Sequence, residues 1–373
     1  MRSPYRVGAA RCLSYEPAEV EAALALALER AGGLPSLSGE VLLKANLLAP
    51  RAPEEAVTTH PALLGALADL ILPGAARVTV ADSPGYIFVH QWETLFRQTG
   101  LDVLREKGVV LRPLIDDGLV EVAVDGLSLS RARVARLFLE SDHVVNVAKL
   151  KTHVETEMTG CMKNLFGIAD TATRKAAHRS PSLERLAQGV IDLFGIREPD
   201  FNVLDAVDSM EGDGPSRGRP VRTGWIFAGA NALAVDAVAS RLMGYENPWK
   251  IPLLAAAAGR GMGPRGREEI DLEGSEWGEL AHHGFCRSSP RVRWIPTALR
   301  GWAHSLVSLR PELDPSLCTG CSICTRVCPV DALTMKSGKP VIDEASCVRC
   351  LCCHEMCPEG AMKVRRNWIS RLI

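Results

Sequence analysis

Aromatic residues are scarce: Phe, Trp and Tyr make up 5% of the 373 residues. A broad base-stacking platform for single-stranded nucleic acid is excluded on that count. A surplus of one charge is missing too. Lys and Arg (43) nearly cancel Asp and Glu (44), leaving a formal net charge of -1, so no basic surface grips a polyanion and nucleic acid is not an expected partner. Long hydrophobic runs are absent. The longest, Pro61 to Val80, is interrupted by Asp69, Pro73, Gly74 and Arg77, so no stable membrane insertion is expected. The first residues carry charge with no apolar segment behind them. The expected location is cytoplasmic, with thiols reduced unless metal-bound. H-E-x-x-H, G-x-S-x-G and a Walker loop are all missing, which removes the signatures of a zinc protease, a serine hydrolase and a P-loop NTPase. Cysteine itself is nearly lacking from the first 317 residues, where only Cys12, Cys161 and Cys286 occur.

The other nine of the twelve cysteines crowd into the tail, and eight form one repeated pattern. Cys318-x2-Cys321-x2-Cys324-x3-Cys328-Pro329 recurs 29 residues later as Cys347-x2-Cys350-x2-Cys353-x3-Cys357-Pro358. This is bacterial two-cluster ferredoxin spacing, in which the fourth cysteine of each run serves the other cluster. Cys318, Cys321, Cys324 and Cys357 are expected to hold one 4Fe–4S cluster. Cys347, Cys350, Cys353 and Cys328 are expected to hold the second. Cys352 is extra to the pattern. Zinc favours paired C-x2-C units with a longer gap between them, and explains the repeat poorly. Residues 312–365 thus resemble a bacterial ferredoxin, a small α+β domain, followed by a tail at 366–373.

Hydrophobic residues at 47% and charged residues at 23% describe a globular chain with ample core. Residues 1–260 read as alternating strands and helices. Short apolar runs at Val41–Leu43, Arg77–Ala81, His143–Val147, Phe201–Leu204 and Gly224–Ala228 are separated by helical stretches such as Pro61–Leu72 and Ala232–Met243. That predicts an α/β fold: a mostly parallel sheet with helices on both faces. A small antiparallel insertion is expected around Asp125-Gly126, at about 109–134. Residues 261–311 read as a linker. The apolar run Leu306–Leu309, near Trp294 and Trp302, allows a membrane-surface helix, which Pro296 and Gly301 argue against.

Ligands of open parallel sheets sit beyond the carboxyl ends of the strands. Those ends here offer Lys44 and Asn46, Asp82 and Ser83, then Lys149, Lys151 and His153, with Lys163, Asn164 and Glu211 downstream. Lysines beside a few carboxylates suit a small anionic ligand such as a carboxylate or phosphate. Lys44, Asn46, Ser83, Lys149, Lys163, Asn164 and Glu211 are the expected substrate-binding set. His153, Asp82 and Lys151 are the expected catalytic set, His153 or Asp82 moving protons. Three weaker signals read as ordinary structure. Gly261-Met-Gly263-Pro-Arg-Gly266 matches G-x-G-x-x-G but follows a helical stretch instead of a strand. His282-His283 reads as a loop pair, and Cys161 as buried packing.

Leu43-Lys44-Ala45-Asn46, Asp82-Ser83-Pro84-Gly85, Val147-Ala-Lys149-Leu-Lys151-Thr-His153, Met162-Lys163-Asn164 and Glu211-Gly212-Asp213-Gly214-Pro215 occur in order. With Ala234-Val-Asp236, they make residues 40–245 resemble domain-of-unknown-function family 362, many of whose members carry a two-cluster ferredoxin segment. Asn231 departs from the resemblance, which leads one to expect aspartate there. The resemblance implies the domain organisation and no particular reaction. Three readings compete. One is an oxidoreductase passing low-potential electrons to an anionic substrate or an unidentified second cofactor, fed by a redox partner protein. A second is an electron-transfer or partner-binding protein without catalysis. The third, a non-redox lyase or isomerase, is disfavoured because every cluster ligand is present as cysteine, leaving no open iron.

Overall fold

A computed structural model describes residues 5–365 apart from 86–87, 89, 180–182, 282–283 and 288–309. His282-His283, the 366–373 tail and the apolar run near Trp294 and Trp302 lie outside the described residues.

The strands are β1 (Tyr5–Arg11), β2 (Glu40–Ala45), β3 (Arg77–Asp82), β4 (Val110–Pro113), β5 (Leu119–Ala123), β6 (Arg131–Ala135), β7 (His143–His153), β8 (Glu157–Thr159), β9 (Phe201–Glu211), β10 (Arg219–Gly229) and β11 (Ile270–Glu273). Nine of them form one sheet in the order β11-β1-β10-β9-β7-β2-β3-β4, with β8 folded back on β7. The half from β9 to β4 is parallel throughout. β10 runs antiparallel to both β9 and β1. The fold is therefore α/β and mostly parallel, as expected.

Alternation along the strands divides the core in two. Val41, Leu43 and Ala45 of β2, with Val145 and Val147 of β7, face one apolar layer. Leu42, Val144 and Ala148 face the other. A sheet buried on both sides needs helices on both sides. Helices Pro17–Arg30 and Pro61–Ile71 cover the first face. Helices Leu183–Phe194, Ala232–Ala239 and Pro252–Gly259 cover the second. Asn231 caps its helix: its side chain accepts from Ala234 N at 2.9 Å and donates to Met262 O at 2.8 Å. A structural cap accounts for this residue without any charge.

Two boundaries change. β11 pairs in parallel with β1, and Trp277 and Leu280 join the core, so part of the 261–311 stretch read as linker belongs to the α/β body. Within 109–134, β4 is an edge strand of the main sheet, while β5 and β6 form the expected antiparallel hairpin.

The C-terminal segment adds β12 (Arg310–Leu313), β13 (Leu333–Lys336), β14 (Lys339–Ile342) and β15 (Met362–Arg365). β12 pairs with β15 and β13 with β14. Its backbone repeats at the same 29-residue offset as its cysteines. β12 maps onto β14 and β13 onto β15. The helical turn Ile323–Val327 maps onto Cys352–Glu355. Left-handed positions at Gly320, Ser322 and Asp331 recur at Arg349, Leu351 and Gly360.

Candidate active site between the sheet and the cysteine domain

Each half of the repeat wraps a cysteine loop. Left-handed residues at 320 and 322, or 349 and 351, curl the backbone of each loop. Cys324, Cys328, Cys353 and Cys357 are buried together with Ala332, Leu333, Ala361 and Met362. Cys318, Cys321, Cys324 and Cys357 line a common cavity. Cys324 lies within charge range of Cys321, Cys357 and Cys318, and Cys347 within that of Cys350 and Cys328. The backbone N–H of Ala332 donates to Cys328 Sγ at 3.2 Å. Convergent thiols in a loop that offers N–H groups to sulfur fit a thiolate-held iron–sulfur cluster.

The second cysteine loop docks on the sheet. Arg217 Nε donates to His354 O at 3.2 Å, and its guanidinium also reaches Cys357 O. Ser216 Oγ donates to Glu355 O at 3.3 Å, and Lys175 donates to Arg326 O of the first cysteine loop. Gly85 permits the approach, because a Cβ there would sit 2.7 Å from Met356 Cε.

Between loop and strand ends lies a cavity of about 160 Å³. Asn46, Asp82, Ser83, Lys151, His153, Lys163 and Asn164 all line it, so seven of the ten expected pocket residues converge there. Arg174, His178, Thr159, Cys352 and Glu355 also line it. Buried hydroxyls of Ser83 and Thr159, and Glu355 Oε1, lack hydrogen-bond partners. Orphan polar atoms around one void indicate a polar occupant.

Lys44, Lys149 and Glu211 do not reach the cavity. Lys44 Nζ pairs with Asp82 at 2.5 Å and donates to Ala45 O and Asn164 O. Lys149 donates to Tyr15 OH at 2.7 Å and Asp205 at 2.9 Å. The register of β7 against β9 shifts between Lys149 and Lys151, which parts two lysines that simple alternation would put side by side. Glu211 accepts from Arg219 and from Cys286 N, both at 2.7 Å.

The expected proton movers also change. Asp82 accepts from Lys44, from Leu47 N at 2.6 Å and from Ser83 N at 2.7 Å, so its carboxylate is committed to structure. His153 Nδ1 accepts from Glu155 N at 3.2 Å and Thr156 N at 3.4 Å. The ring hydrogen therefore sits on Nε2. Burial, then the charges of Lys163, His178 and Lys151, push its pKa well below the ordinary value. His153 is a fixed neutral donor, not an acid–base shuttle. The same tautomer argues against a metal among His153, Glu155 and Glu355, although their ligand atoms lie within 4.8 Å of one another.

Lys151 fits proton transfer best. Its Nζ donates to Asn46 Oδ1 at 2.8 Å and Val57 O at 2.7 Å. Two valences are thus fixed, and the next is either a third N–H or a lone pair. Burial lowers its pKa to about 7, against the pull of Asp82, so both forms exist near neutrality. Across the cavity, burial and then the Glu155 carboxylate raise Glu355 to about 8. Burial works against charge on His178, yet Glu155, 3.4 Å from its Nε2, raises its pKa overall. Burial lowers Lys163, whose ammonium lies 4.1 Å from the Phe166 ring centroid.

Arg174, His178 and Glu355 were missed in the sequence. Glu355 and Cys352 did leave a signal: their repeat mates are Arg326 and Ile323. The remaining minor motifs are structural. Cys161 is buried, and burial pushes its thiol well up. Gly261–Gly266 follows helix Pro252–Gly259 and leads through a short turn into β11, the wrong setting for a dinucleotide. Among the described residues, no helix is long and apolar enough to cross a membrane.

Two family models match separate stretches of the chain. A 4Fe-4S binding domain profile matches residues 311–334, so the C-terminal segment contains a 4Fe–4S binding domain. A thylakoid-associated protein of Synechocystis sp. is 28% identical over 269 residues, covering 69% of this chain and 80% of that one. The lactate racemase apoprotein from Thermoanaerobacterium thermosaccharolyticum superposes with a TM-score of 0.39 at 16% identity, over 61% of this chain and 54% of that chain. A protein from Thermotoga maritima gives 0.37 at 13%, over 66% and 59%. The chain thus spans little more than half the length of either solved structure. The profile of DUF362, a domain of unknown function, matches residues 41–241, more than half of the sequence, and the chain belongs to the DUF362 family.

Proposed function

We propose that this protein is a two-cluster iron–sulfur oxidoreductase that reduces a small anionic molecule held between the strand ends and the second cysteine loop. Cys318, Cys321, Cys324 and Cys357 hold one 4Fe–4S cluster, and Cys347, Cys350, Cys353 and Cys328 the other. Bound there, the clusters supply single electrons. The observation that carries this reading is the shared wall: the helical turn bearing ligand Cys353 also lines the cavity through Cys352 and Glu355.

Lys163 and Arg174 supply the positive charge that draws an anion into a dry site. His153 Nε2, 3.6 Å from Glu355 Oε1, and that carboxyl together orient the bound anion. Lys151 gives up the proton that accompanies each electron, and regains it from water. The electron originates with a low-potential one-electron donor, here a redox partner protein docking beside the exposed Cys321. Burial of the reacting centre keeps that electron from solvent.

Anaerobically purified protein should contain about eight irons and about eight sulfides per chain. Reduced protein should then be reoxidised by members of a panel of small carboxylates and phosphate esters. Lys151→Met should abolish that reoxidation while leaving iron content and the reduced-cluster magnetic spectrum unchanged. About four irons per chain would remove the second cluster. Reoxidation only by carrier proteins, indifferent to Lys151→Met, would establish the electron-transfer reading instead.

A further inference from the structure

Behind Lys151 runs a file of four buried asparagines. Lys44, Asn146, Asn202 and Gly229 stand opposite one another on β2, β7, β9 and β10. Across this row Asn202 Nδ2 donates to Ala230 O at 3.0 Å, and Asn146 Nδ2 donates to Asn202 Oδ1 at 2.9 Å. Asn164 Nδ2 donates to Asn146 Oδ1 at 2.8 Å, and Asn46 Nδ2 to Asn164 Oδ1 at 2.9 Å. Asn46 Oδ1 finally accepts from Lys151 Nζ at 2.8 Å.

The direction of this chain is not a matter of choice. Asn202 must turn its amine toward Ala230 O, because a carbonyl only accepts. Asn146 must do so toward Cys161 O, 2.9 Å away, and Asn164 toward Lys44 O at 3.2 Å. The flips of Asn202, Asn146 and Asn164 are thus set by backbone, and that of Asn46 by the Lys151 ammonium, which only donates; every side-chain oxygen in the file points toward Lys151. Aligned amide dipoles polarise one another in a dry interior. Their negative ends converge on one ammonium.

We infer that Asn46, Asn164, Asn146 and Asn202 form a positioning relay that holds Lys151 Nζ at the cavity and raises its affinity for a proton. The inference rests on the reading of Lys151 as the cavity's proton carrier. Other charges also bear on this group. Asp82 from β3 and Glu355 from the second cysteine loop favour the ammonium, while Lys149 of β7 and Lys163 of the following helix oppose it. The relay works with Asp82 against burial. Asn146 and Asn202 do this from within the sheet, outside the cavity lining.

The test is a titration that needs no substrate. The chain has ten lysines, so the intact protein labelled with 13C-lysine gives a tractable spectrum, and the Lys151 signal is the one lost in Lys151→Met. Asn146→Leu should lower the Lys151 midpoint by roughly one pH unit, a tenfold loss of proton affinity, and Asn202→Leu by about half a unit. Asn46→Asp should move it upward by placing a full negative charge against Nζ. An unchanged midpoint in folded Asn202→Leu, or no rise in Asn46→Asp, overturns the relay. Mere sheet glue would alter melting temperature without moving the midpoint. If Lys151→Met retains turnover, the proposed reaction fails while the relay stands.

Discussion

Lys151 shows how burying a single amine costs stability. In the unfolded chain its pKa is the ordinary 10.5, and in the fold it is about 7. Between those values the unfolded state binds a proton that the folded state lacks, so stability rises with pH across that window. At and below pH 7 the cost is fully present. The melting temperature of the iron-loaded parent should therefore gain on that of Lys151→Met as pH rises from 7 to 10. Parallel curves would show that the buried amine is not the titrating group. His60 works in the opposite range. Burial lowers it to about 4 from 6.5, so the unfolded chain gains the proton first and stability falls as pH drops from about 6.5 to about 4. His60→Phe, which cannot titrate and can still stack on Tyr15 at 3.5 Å, should flatten that part of the stability profile. This scale is also where reading a sequence stops short. Residue type shows that Lys44, Lys149 and Lys151 end strands. It does not show that Asp82 and Asp205 take the first two, or that a shift in register turns Lys149 away from Lys151.

Elements were far more legible, because hydrophobic period and turn chemistry are local. The five apolar runs are strands, and the cysteine spacing marked the repeat down to its offset. What escaped was orientation. β10 runs antiparallel, and no local pattern records which way a buried strand enters a sheet. The repeat also contains its own control. Its halves share strands, a helical turn and three left-handed positions, so differences between matched side chains point to use. Ile323, Thr325 and Arg326 become Cys352, His354 and Glu355, of which Cys352 and Glu355 line the cavity while Ile323 and Arg326 do not. Glu355→Arg restores the residue of the first half. It should leave iron and sulfide content at the parent level, since Arg326 is tolerated beside the same cysteine pattern. It should abolish reoxidation by small anions by removing the Glu355 carboxyl from the wall and placing a longer side chain in the space the anion would occupy. A loss of iron in this variant would mean that position 355 serves cluster assembly and not the cavity.

At the scale of the whole molecule, two bodies of unequal self-sufficiency share one site. The sheet is enclosed by apolar layers on both faces. The C-terminal segment has a core of eight buried residues, four of them cysteines, far too little to hold a fold without a staple. For such a domain the free energy of metal binding is folding free energy. Anaerobic chelation of iron should therefore unfold residues 310–365 first. Limited proteolysis read by mass spectrometry should find new cuts there, while the segment from β1 to β11 stays protected. The cavity should report the same event. Once the second cysteine loop leaves, water reaches Lys151 and the burial that depresses its pKa is relieved, so its midpoint should climb from about 7 toward the ordinary lysine range. Both changes should follow iron loss together, because one contact surface links them. If the loop stayed docked after chelation, with Lys151 still titrating near neutrality, then Arg217, Ser216 and Lys175 would suffice to hold the two bodies together, and the clusters would be passengers in the architecture.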